Sequence, residues 1–174
     1  KVIVDTLPAE TKFISLDEQE RELNAQDLMI CNGKIDSGNL DEAGMCMAGV
    51  FGGIKSGVSE KTTDVFLESA YFNPVWLRKT AKKHALSTDA SFRFERGVDP
   101  NMNLYAMKRA ALLMCEIAGA QISSSVTDIY PEEIKPCKVT LSLSRMTNLI
   151  GSEIPKDRVL SILGALDIRV SVDN

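Results

Sequence analysis

The chain has 174 residues, of which 44% are apolar and 6% aromatic, and its 20 Lys and Arg against 24 Asp and Glu give a formal net charge of -4. This is the composition of an ordinary globular protein, too apolar for intrinsic disorder. No apolar run approaches the roughly 20 residues of a membrane-spanning helix, and the mild acidity argues against a dedicated nucleic-acid-binding domain.

The chain starts Lys1-Val2-Ile3-Val4-Asp5, without an initiator Met or a signal-peptide pattern, which reads as a fragment. Val2–Val4, Phe13–Leu16 and Leu28–Cys31 are apolar runs of strand length, with turn signals at Asn32-Gly33 and Ser37-Gly38-Asn39. Met45–Phe51 is a continuous apolar run broken by Gly49, and it reads as a buried strand ending in the Gly52-Gly53 turn. Val65-Phe66-Leu67 is a further buried-strand candidate carrying Glu68 at its end.

Two helices follow. Asn73 caps and Pro74 starts the first, which is expected to run to Lys83 and bury Trp76, Leu77, Thr80 and Ala81. Asp99, Pro100 and Gly119 delimit the second, whose stripe of Leu104, Met107, Ala111, Met114 and Ala118 is expected to enter the core. A strand over Gln121–Tyr130 comes next, then another at Val139–Leu143 and a short helix from Pro155 to about Leu163. The expected fold class is α+β: mixed sheets of short strands packed with two main helices, plus a truncated second α/β module. The expected boundaries are a domain over 1–133, a linker at 134–136 and the start of a second domain over 137–174, too short for a comfortable core of its own.

Several chemistries drop out. The four cysteines, Cys31, Cys46, Cys115 and Cys137, are scattered with no CxxC, so they read as reduced, mostly buried thiols rather than a disulfide framework or a zinc site. The only histidine, His84, has no nucleophile elbow to serve and reads as a solvated residue closing a helix. Ala48-Gly49-Val50-Phe51-Gly52-Gly53 matches neither a P-loop nor a dinucleotide fingerprint, and alone it reads as a tight turn. Glu68 follows an apolar triplet, so a partly buried carboxylate is expected, one that needs hydrogen-bonding partners or else has a raised pKa. Thr88-Asp89-Ala90-Ser91 supplies hydroxyls and a carboxylate after a helix, and on its own reads as a network tying a loop to helix ends. The charge is uneven: residues 1–50 hold ten acids and four bases, and the sharpest positive cluster spans Arg78 to Arg96. A charge run is usually a solvated face, but this one adjoins the motif-rich stretch and suits phosphate.

Taken in order, Leu23-Asn24-Ala25-Gln26-Asp27-Leu28-Met29-Ile30, Met47-Ala48-Gly49-Val50-Phe51-Gly52-Gly53, Leu67-Glu68-Ser69-Ala70-Tyr71-Phe72-Asn73-Pro74 and Ser87-Thr88-Asp89-Ala90-Ser91-Phe92-Arg93-Phe94-Glu95-Arg96-Gly97-Val98-Asp99-Pro100 closely resemble the central editing domain of bacterial phenylalanyl-tRNA synthetase β subunits. The resemblance covers nearly all of residues 1–133, and residues 137–174 look like the start of the next β-subunit domain. Phe51, Asn73 and Ala85 depart from the usual Met, Asp and Gly. An upstream segment that supplies a substrate-contacting His and Arg in the family is absent, and His84 does not replace it.

The resemblance implies hydrolysis of Tyr-tRNA(Phe), because a pocket built for phenylalanine discriminates poorly against one added hydroxyl. It places the pocket on Ala48, Gly49, Gly52, Glu68, Thr88 and Ala90. Glu68 would accept the tyrosine hydroxyl, Gly52 and Ala90 would leave room for ring and ester, and Thr88 would position water or the ester end. The implied alternative is a tRNA-contacting scaffold without editing. The implied setting is a cytoplasmic α2β2 ligase with an α subunit as partner and the tRNA(Phe) 3' end as ligand. ATP and magnesium would belong to the parent enzyme, and this segment would carry no cofactor and no metal.

Overall fold

The computed structural model describes residues 1–172. Within Lys1–Tyr130, the first strand, β1 (Val2–Thr6), pairs antiparallel with β4 (Leu28–Asn32) in the register Val2↔Asn32 to Thr6↔Leu28. β4 then pairs with β5 (Gly44–Met47), and β5 with the two-residue β6 (Phe51–Gly52). The sheet order is β1-β4-β5-β6. β2 (Lys12–Ile14) and β3 (Glu20–Glu22) form a separate hairpin. A bridge from Ser15 to Gly53 ties that hairpin to the sheet. The fold is α+β with antiparallel ladders throughout, rather than mixed sheets.

Met29, Ile30 and Cys31 of β4 are all buried, so this strand is covered on both faces, as its unbroken apolar run requires. They join Leu7, Phe13, Leu23, Met47, Ala48, Val50, Phe72, Leu77 and Ala81 in one core. The Met45–Phe51 run is not a single strand. It folds as a hairpin, because Gly49 takes φ 66° and Val50 N–H returns to Met47 O at 2.9 Å.

A short helix, α1 (Leu40–Ala43), precedes β5, and α2 spans Pro74–Lys83 as the sequence implies. The Asn73 side chain accepts from Val75 N–H at 2.9 Å, and Leu77, Thr80 and Ala81 are the buried positions. Trp76 is instead 41% exposed, stacked under Lys79. Ala85 follows the helix at φ 52°, the left-handed position where glycine is usual. In Thr88–Arg96, α3 (Asp89–Phe94) is capped by Thr88, and the expected network tying the loop to a helix end takes the form of a capping box in which Thr88 and Ser91 bond reciprocally.

Asp99 caps a 3-10 turn, Pro100–Met102, that leads into α4 (Asn103–Ala118), which Gly119 closes at φ 65°. None of the α4 residues is fully buried, and Leu112 and Ile117 are exposed, so its apolar stripe is half-covered rather than core. Val65–Leu67 and Gln121–Tyr130 form no strand, and Val65, Phe66, Ile122, Val126 and Ile129 are exposed.

From Pro131 onward, the described residues contain α5 (Leu143–Ile150), capped by Ser142 and Gly151, and α6 (Lys156–Ala165). The expected strand at Val139–Leu143 does not form. Val139 is exposed with no ladder partner, and Leu143 opens α5. The last two residues of the expected second domain lie outside the described residues.

Candidate functional site at the β5–β6 hairpin

Of the six residues singled out by sequence, Ala48, Gly49 and Gly52 lie on one hairpin, Thr88 bonds to it, and Glu68 acts electrostatically on Cys46 within it. Ala48 is buried and Gly49 half-buried at its tip, and Gly52 lies on β6 opposite Cys46. A Cβ built on Gly49 would lie 2.5 Å from Leu77 Cδ2, 3.0 Å from Phe72 and 3.1 Å from Phe94. Gly49 is therefore where the hairpin closes on α2 and on the tilted Phe72–Phe94 ring pair, whose centroids are 5.4 Å apart. The N–H and C=O of Gly49 make no hydrogen bond among the described residues. At Gly52, a Cβ would meet Leu16 Cδ1 at 2.8 Å, so Leu16 occupies the space that Gly52 vacates.

Thr88 fastens α3 to this hairpin. Its hydroxyl donates to Val50 O at 2.7 Å and accepts from Ser91 N–H at 3.0 Å. The one proton of the hydroxyl is thereby committed to the backbone. Ala90 follows on the first turn of α3 and is exposed.

Glu68 lies at the surface, yet the atoms around its carboxyl desolvate it enough to raise its pKa above the ordinary carboxylate value. It has no hydrogen-bond or ion-pair partner among the described residues. Its negative charge, added to burial, helps push the Cys46 thiol up to about 11. Such a thiol is almost wholly protonated near neutral pH and is no nucleophile. Sequence reasoning missed Cys46, although reading the run around Gly49 as a hairpin would have paired it with Gly52.

His84 is not solvated. Its side chain is 6% exposed, and its Nε2 lies 2.6 Å from Asp27 Oδ2. Asp27 also accepts from Thr80 Oγ1 at 2.8 Å and from Asn24 N–H at 2.8 Å. Arg21 donates to the His84 carbonyl at 3.0 Å. The network ties the end of α2 to the turn before β4, and no local signal in the sequence pairs residues so far apart.

Among the described residues, no group of three or more His, Cys, Asp or Glu is placed to hold a metal ion. No helix of the described residues is long and apolar enough to cross a membrane. Two concavities, of about 110 and 330 Å³, lie elsewhere: one among Lys12, Phe13, Glu20 and Lys55, the other among Thr6, Leu28, Trp76 and Leu77.

The B3/4 domain family matches residues 1–119. The phenylalanine–tRNA ligase beta subunit of Bacteroides thetaiotaomicron is 51% identical over 170 residues, 98% of this chain and 20% of the relative. That of Porphyromonas gingivalis is 48% identical over 171 residues, again 98% and 20%. The Bdellovibrio bacteriovorus beta subunit is 38% identical over 171 residues with the same coverage. The chain spans about a fifth of the length of these curated relatives. With a family match across most of its length, the chain belongs to the B3/4 domain family.

Proposed function

We propose that the chain is the editing segment of a phenylalanine–tRNA ligase β subunit and hydrolyses the ester of Tyr-tRNA(Phe). The observation that carries this reading is Glu68: a desolvated carboxylate without a partner, beside the hairpin that bears Ala48, Gly49 and Gly52. A carboxylate is an acceptor only, and a phenol hydroxyl is a donor it can accept from. Tyrosine would meet that need, while a phenylalanine ring would leave the carboxylate unpaired. The difference is about 1–3 kcal/mol, or roughly 5- to 150-fold in rate.

The unpaired N–H and C=O of Gly49 are the backbone groups available to the same hydroxyl or to the ester. Thr88 acts through its hold on Val50 O, which fixes the start of α3 against the hairpin. Leu16 fills the space at Gly52, so this reading requires Leu16 to rotate away for the ring to enter there. The Cys46 thiol is held neutral, the Thr88 proton is engaged and His84 is locked onto Asp27, so the reading takes water as the nucleophile. In this reading the parent enzyme is a cytoplasmic α2β2 assembly that takes ATP and magnesium on its α subunit. The hairpin receives the 3' end of tRNA(Phe).

Ala90→Trp tests the assignment in the full-length synthetase. Ala90 is exposed, so the fold tolerates the larger side chain. Tyr-tRNA(Phe) deacylation is expected to disappear with thermal unfolding unchanged, and retained deacylation removes the site. One observation favours a second reading, a tRNA-contacting scaffold without hydrolysis: neither concavity above is lined by the six residues. Wild-type enzyme that fails to deacylate Tyr-tRNA(Phe) selects that second reading.

A further inference from the structure

We infer that Phe92 and Arg96 form a stacking platform for the unpaired nucleotides that precede the esterified terminal nucleoside. This rests on the hydrolase reading, because it takes the ester at Ala90 as the start of the strand. Phe92 is 55% exposed, and the Arg96 guanidinium lies 3.6 Å from its ring centroid. Arg96 is held there by the Phe92 carbonyl at 2.8 Å and the Glu95 carboxylate at 2.6 Å. Arg78 reaches the Glu95 carbonyl from α2 at 2.7 Å, which brings a second guanidinium to the C-terminal end of α3.

An aromatic face with an adjoining guanidinium is the chemistry on which unstacked bases settle, while the cations face phosphate. Charge complementarity points the same way. Residues 78–96 hold six Lys and Arg against two acids in a chain of net charge -4. The placement on α3 also fits. Phe94 meets the hairpin, the exposed Ala90 lies one turn before it, and Phe92 is on the other side of α3, about 10–12 Å across the helix. A strand of a few nucleotides leaving Ala90 covers that span.

The test uses the full-length assembled synthetase with Phe92→Ala, on Tyr-tRNA(Phe) and on the tyrosyl ester of adenosine alone. The KM for the tRNA ester is expected to rise on the order of 5- to 100-fold, with no change for the adenosine ester, and Phe92→Trp is expected to restore it. An equal loss on both substrates makes Phe92 a packing contact with another protein segment and overturns the platform, as does an unchanged KM on both. If the wild-type enzyme hydrolyses neither ester, the hydrolase reading falls instead. The platform is then judged by the affinity for uncharged tRNA(Phe) against tRNA(Phe) lacking its last three nucleotides. Weakening by Phe92→Ala confined to the intact tRNA keeps the platform, and no weakening overturns it.

Discussion

Replacing Gly49 with alanine should damage the protein twice, and the two parts can be separated. The backbone at Gly49 sits at φ 66°, where an L side chain costs about 1–2 kcal/mol. The new methyl would also lie 2.5 Å from Leu77 Cδ2 and about 3 Å from Phe72 and Phe94, all packed in or against the core. Forcing an extra carbon into a filled interior costs about 1–3 kcal/mol. The sum is about 2–5 kcal/mol, a large part of a domain stability of about 5–15 kcal/mol. Gly38 supplies the comparison: it sits at φ 76° with nothing within 4 Å of a built Cβ, so Gly38→Ala should cost only the backbone part. Equilibrium urea unfolding, followed by fluorescence of the single tryptophan, Trp76, reads both variants. Gly49→Ala should lose about 1–3 kcal/mol more than Gly38→Ala. Equal losses would refute the claim that Gly49 is where the hairpin closes on the helices.

Three further outcomes follow from side chains near the site. His84→Ala strips a buried neighbour from the Asp27 carboxylate and should cost about 3 kcal/mol in urea unfolding; a loss under half that size means the contact does little. Desolvation raises the Glu68 pKa in the folded state, so its contribution to stability is fullest below the ordinary carboxylate pKa and is lost as pH rises through the raised value. Glu68→Gln should therefore be at least as stable as wild type at pH 7, with the difference closing near pH 4; a variant less stable at pH 7 contradicts the unpaired carboxylate. With its pKa pushed up to about 11, Cys46 should react with iodoacetamide at pH 7.5 far more slowly than the exposed Cys137, as peptide mapping would show. Comparable labelling of the two would remove the claim that Cys46 is held as a neutral thiol.

Local chemistry made some elements legible. Asn73-Pro74 marks the start of α2 because the side chain and the ring each satisfy the first turn, and Gly119 marks the end of α4 because only the left-handed conformation closes it. The structure also brings Thr88 and Glu68 to the hairpin of Ala48, Gly49 and Gly52, although composition alone gave no reason to join Glu68 to Gly52 across 16 positions. What stayed hidden depended on partners distant in sequence. The runs at Val65–Leu67, Gln121–Tyr130 and Val139–Leu143 have strand composition, but a strand exists only where another edge completes its ladder. His84 looked solvated because four of the six residues before it are Lys or Arg, and the acid that buries it lies 57 residues earlier. The Thr88–Val50 bond likewise joins residues 38 positions apart.

The central claim is that Glu68 recognises a hydroxyl that phenylalanine lacks. Its most direct test is the ratio of deacylation rates on Tyr-tRNA(Phe) and Phe-tRNA(Phe), measured for the full-length synthetase with and without Glu68→Ala. The wild-type enzyme should prefer the tyrosyl ester, and that preference should fall roughly 5- to 150-fold in the variant. A ratio that Glu68→Ala leaves unchanged would contradict it.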